Sequence, residues 1–97
     1  MHKAYKTPEA EQDFISIWVY VSHDSVRAAD VVLDELDREC SRLAVRPGMG
    51  PGRPELGRDV QSWPVRPYVV FYRRVTGGIE VLRVLHGAQD IQSAFTG

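Results

Sequence analysis

At 97 residues the chain has room for one small domain with a single modest core, and not for two. With 43% apolar and 26% charged residues, its composition is that of a folded soluble protein and excludes a disordered or low-complexity chain. The net charge of -1 excludes a strongly polyanionic or polycationic protein, and one cysteine with three scattered histidines excludes a disulfide framework or a Cys/His metal site.

The segment "HKAYKT" alternates and is expected to open the fold as a strand. Thr7-Pro8 then reads as a helix start, with a hydroxyl N-cap and proline at the first position. Phe14, Ile17, Trp18 and Val21 recur at helical spacing, which predicts a helix from about Pro8 to Ser22. "SHDSV" breaks the pattern, and Asp24 or Ser25 can cap a second helix. Along it Ala29, Val32, Leu33, Leu36, Cys40 and Leu43 line one face while charged residues fill the other. Arg46-Pro47-Gly48 ends this helix, and the short turn before it predicts an antiparallel helical hairpin.

"PGMGPGRPELG", residues 47–57, is rich in glycine and proline and reads as a loop. Its three prolines and the absence of a Gly-Lys-Ser/Thr ending argue against a phosphate cradle. The period then changes. "VQSWPV", "YVVFYRRV" and "IEVLRVLH" are strand-like, with "TGG" as the hairpin turn between the last two, and the tail "DIQSAFTG" is too short to assign. The order implies one α+β domain over residues 1–97: a strand, an antiparallel helical hairpin, then a three-stranded antiparallel meander, with the helices on one face of an antiparallel sheet.

Charge is unevenly spread. Residues 1–45 hold five Lys/Arg against nine Asp/Glu, and residues 46–97 hold seven against four, every cation there being arginine. Arg66, Arg73 and Arg74 flank the central strand, either as a phosphate-binding stripe or as solvated strand-end charges. Alternation places Ile79, Val81, Arg83 and Leu85 on one face of the last strand, so Arg83 needs a carboxylate partner, a cleft or an aromatic ring. Asp90 and the helix carboxylates are the candidates for an ion pair. His86 is either a general acid or base, or a hydrogen-bonded strand-end residue. Trp63 reads as a core anchor rather than a base-stacking platform. The N-terminus lacks the apolar stretch of a secretory signal and no apolar run spans a membrane, which points to the cytoplasm.

Four segments, "PEAEQDFISIWVYV", "RPGMGPGRPELG", "WPVRPYVVFYRR" and "IEVLRVLHGAQD", together resemble the ParE branch of the ParE/RelE toxins of bacterial type II toxin–antitoxin systems over nearly the whole chain. The resemblance implies a helical hairpin on a small antiparallel sheet, no cofactor, and a cognate antitoxin that is ParD-like or a similar small DNA-binding protein. It implies inhibition of DNA gyrase by protein contact, without catalysis, with Arg83, His86, Gln89 and Asp90 as target-binding candidates. The alternatives are a RelE-type ribosome-dependent mRNA endoribonuclease, in which His86 would transfer a proton and Arg73 or Arg83 would stabilise the charged transition state and which alone would touch nucleic acid directly, and a non-toxic binding module. Ile15, Trp18, Val19, Arg66 and Arg74 are the antitoxin-binding candidates. Gln61 and Gln89 depart from the pattern, since arginine is usual at both places.

Overall fold

A computed structural model describes residues 1–96. The elements run β1 (Lys3–Lys6), α1 (Pro8–Ser22), α2 (Val26–Val45), β2 (Gln61–Val65), β3 (Tyr68–Val75), β4 (Gly78–His86) and α3 (Ile91–Thr96). Short 3₁₀ turns at Pro47–Met49 and Pro54–Leu56 shape the intervening loop.

Local chemistry sets the helix boundaries. The Thr7 hydroxyl accepts from the Ala10 N–H with Pro8 at the first position, and the Ser25 hydroxyl accepts from Ala28 N–H, so Ser25 rather than Asp24 caps α2. The stripe read from the sequence turns inward: Ala29, Leu36, Cys40 and Leu43 are fully buried. Phe14 and Ile17 of α1 join them against Val70 and Tyr72 of β3 and Ile79, Val81 and Val84 of β4.

The four strands form one sheet in the order β1-β4-β3-β2. The meander β2-β3-β4 is antiparallel as expected. The first strand differs from the all-antiparallel reading: β1 lies parallel to β4, with Lys3 opposite Gly78 and Lys6 opposite Val81. A parallel neighbour needs a long crossover, and here the crossover is the rest of the domain.

The face assignment of β4 also changes along its length. Phe71 pairs with Arg83 but Tyr72 pairs with Val81, so Leu82 is the extra residue of a bulge. Before it, Ile79 and Val81 point toward the helices; beyond it Val84 takes that side. Leu85 instead joins Val60 and Phe71 in a second apolar cluster on the opposite face. The expected row Ile79, Val81, Arg83, Leu85 is therefore broken in the middle. That second cluster is completed by Leu56 of the loop and by Ile91 and Phe95 of α3, whose ring meets Phe71 edge-on at 5.2 Å.

Candidate functional site

The bulge aims Arg83 at an ion pair that the sequence alone left open. Its Nε and Nη2 donate to the two carboxylate oxygens of Asp13 at 2.7 and 3.0 Å, and its Nη1 donates to the Ala94 carbonyl at 3.2 Å. Asp13 also accepts the Val84 N–H at 2.9 Å. Only 13% of the Asp13 side chain and 26% of Arg83 remain accessible, so the fork is largely shielded from water. The Asp13 hydrogen bonds raise the Arg83 pKa, holding the guanidinium charged. Asp90, the other carboxylate considered, is engaged elsewhere: it accepts from the Ser93 hydroxyl and N–H, which lower its pKa.

Beside this pair, α1 and the end of β4 enclose an open cleft of ≈ 330 Å³. Asp13, Ser16 and Tyr20 of α1 face Tyr68, Arg83 and His86 across it, with Gln89 at one end. Tyr68 and His86 sit opposite one another in the β3–β4 register, and their rings meet edge-on at 5.7 Å. Burial, with Tyr20 nearby as a smaller cause, raises the Tyr68 pKa and keeps its hydroxyl neutral. The His86 Nδ1 accepts from the Ala88 N–H, which leaves Nε2 as its donor.

Gln89 closes the same turn. Its Oε1 accepts from the His86 N–H at 2.8 Å, while its own N–H donates to the His86 carbonyl at 3.0 Å. An arginine side chain has no acceptor for the first of these bonds. Gln61 has a comparable task in the Gly/Pro loop, donating from Nε2 to the carbonyls of Pro47 and Gly50 at 2.8 and 2.9 Å. The Tyr72 hydroxyl completes that network by donating to Pro47 O and accepting from Gly50 N–H.

The cleft thus gathers Arg83, His86 and Gln89, and adds Tyr20 and Tyr68, which the sequence reading missed. Asp13, Ser16 and Tyr20 form a polar edge at spacings of three and four beside the apolar face of α1, and that was the available signal. Asp90 faces away. Arg73 is not in the cleft: it lies opposite Glu80 in the sheet and pairs with it at 2.8 Å. With Arg83, Arg58 and Phe95 it lines a separate depression that does not include His86. Of the nuclease alternative's residues, Arg83 and His86 share the cleft and Arg73 lies outside it.

The antitoxin candidates also divide. Ile15 and Val19 are exposed one turn apart on α1, and the neighbouring Trp18 donates from Nε1 to Asp30 of α2 at 2.9 Å. Arg66 lies in the β2–β3 turn, while Arg74 lies at the far end of β3 against Gly48. No group of His, Cys, Asp and Glu suited to a metal occurs among the described residues, nor is any described helix long and apolar enough to cross a membrane.

This architecture is similar to a chain of the chromosomal ParDE toxin–antitoxin system from P. aeruginosa, with a TM-score of 0.72 and 22% sequence identity, covering 89% of this chain and 96% of that one. At that identity the likeness establishes the fold. A search of curated proteins finds no match. The family model described as "ParE toxin of type II toxin-antitoxin system, parDE" matches residues 5–91, which include α1, α2, the β2-β3-β4 meander, the second half of β1 and every residue of the cleft. On that extent of agreement, the chain belongs to the ParE toxin family of type II toxin–antitoxin systems.

Proposed function

We propose that this toxin acts in the cytoplasm by binding DNA gyrase without catalysis, and that a cognate antitoxin neutralises it. One observation favours contact over cleavage: the arginines that would steady a phosphorane are already committed. Each nitrogen of Arg83 donates one N–H, to Asp13 or to the Ala94 carbonyl, and Arg73 is held by Glu80. The exposed rim of the cleft, with Tyr20, His86 and Gln89, offers a target an apolar wall and several hydrogen-bonding groups. The exposed Ile15 and Val19 on α1 offer the antitoxin an apolar stripe into which an amphipathic segment can pack.

The deciding measurement is a supercoiling assay with purified toxin and gyrase, run beside an in-cell induction followed for the first process to fail. Inhibition or trapped cleaved DNA, reversed by the co-expressed antitoxin, is the expected result. Cut mRNA with early translation arrest and an unaffected gyrase would replace this reading with the nuclease one. Unchanged growth would leave a non-toxic binding module.

A further inference from the structure

Arginines from both halves of the sequence meet at one end of the molecule. The C-terminal half of α2 and its C-cap carry Arg38, Arg42 and Arg46 at successive i, i+4 positions, all three exposed. With Ser41, Val45 and Met49 they line an open depression of ≈ 420 Å³. The chain then turns through Pro47–Met49, where a Cβ added to Gly48 would stand 3.1 Å from Nη2 of Arg74. Arg74 in turn shares a second depression with Met1, His2 and Pro47. One end of the molecule therefore collects four arginines next to the first residues of the chain.

Acidic residues share α2 with these arginines, Glu39 feeling the charge of Arg38 among them, but few close ion pairs form. Arg42 is paired with Glu39, at 2.9 Å, and the same carboxylate also accepts from Trp63 Nε1. Among the described residues, Arg38, Arg46 and Arg74 enter no ion pair. The helix C-terminus favours cations in its last turn, which accounts for Arg42 and Arg46 but not for Arg38 or for Arg74 on the sheet.

We infer that this end of the toxin binds the phosphate backbone of duplex DNA without sequence preference. Each i, i+4 step rises about 6 Å, so Arg38, Arg42 and the C-cap Arg46 extend over about 12 Å as a line of forks that can follow consecutive phosphates. Among the described residues no Phe, Tyr or Trp lines either depression, so apart from the His2 ring the surface lacks the stacking platforms that single strands use. No helix projects from it to enter a groove and read bases, which leaves backbone contact as the mode of binding. The inference goes beyond action on gyrase and is tested with the toxin alone.

The test is fluorescence anisotropy of a labelled duplex of ~20 base pairs, titrated with full-length toxin at several salt concentrations. Four arginine contacts predict a log-log salt slope of about -3.6, or roughly a twelvefold loss of affinity for each doubling of salt. Arg38→Ala/Arg46→Ala should reduce that slope to about -1.8 with an unchanged melting curve. Arg58→Ala/Arg66→Ala, which removes two exposed arginines elsewhere, should leave it as it was. Absence of binding at low salt would overturn the inference, as would equal slopes for the Arg38/Arg46 variant and the unaltered toxin. So would an equal effect of the control pair, tighter binding to the single strand, or competition by poly-glutamate as effective as unlabelled duplex.

Discussion

Asp13 and Arg83 stand 70 positions apart in the chain and join α1 to β4 through two hydrogen bonds, at 2.7 and 3.0 Å. Because Asp13 also takes the Val84 N–H, and Arg83 also holds the Ala94 carbonyl, one ion pair ties both sides of the sheet to its last strand. Arg83→Ala should therefore destabilise the toxin by about 3 kcal/mol, the low end for a buried pair because a quarter of the side chain is wet. For a domain this size that is a fall in Tm of roughly 12–24 °C. An unchanged melting curve with lost toxicity would make Arg83 a contact residue instead.

The Gly/Pro loop is held from below by Tyr72. Removing its hydroxyl in Tyr72→Phe strands the Gly50 N–H, at a cost of about 1–3 kcal/mol. Gly50→Ala should be worse, since the added methyl would overlap the Ser62 carbonyl oxygen and the Tyr72 hydroxyl. Chemical denaturation of both variants gives the order directly.

Acid should weaken the α2–β2 contact. Hydrogen bonds from Trp63 and then Arg42 hold the Glu39 pKa below its ordinary 4.5. A carboxylate with a depressed folded pKa contributes stability that is complete above 4.5 and is lost as pH falls through the lower folded value. Trp63→Phe should cost about 1 kcal/mol at pH 7, and melts between neutrality and pH 3 should show the gap closing below pH 4.5.

Cys40 should be chemically silent in the folded toxin. Burial pushes its thiol up to about 12, so almost no thiolate exists at pH 8. A thiol reagent should label it only after unfolding in denaturant. Rapid labelling of the native protein would mean that α2 opens locally.

The exposed stripe on α1 gives a separable prediction. Ile15→Asp with Val19→Asp should abolish co-purification of the antitoxin while leaving Tm within a few degrees, because both positions face solvent. Retained capture would move the antitoxin to another surface.

The helical hairpin was legible in the sequence because a 3.6-residue period and hydroxyl caps act over a few neighbouring residues. The parallel placement of β1 and the bulge at Leu82 were not, since each is fixed by pairing with a distant strand. The six residues of α3 gain their order from packing Phe95 on Phe71, too short a run to show a period. At the candidate site, a carboxylate partner for Arg83 could be demanded from its apolar surroundings, but choosing Asp13 over Asp90 required the fold. The two glutamines looked like lost charges in the sequence; in space each satisfies backbone groups of an adjoining loop.

The pairing of β1 with β4 has a consequence for when this protein becomes itself. Lys3 cannot find Gly78 until 75 further residues (78 - 3) have been synthesised, and Asp13 waits as long for Arg83. The contact of α1 with α2 is local and can form early, whereas the packing of both helices on β4, and the sheet that finishes the core, wait for the last strand. During synthesis the hairpin therefore stands uncovered on its sheet-facing side, and the cleft between α1 and β4 does not exist. The exposed stripe of α1 can therefore form before the cleft, which exists only once β4 has paired.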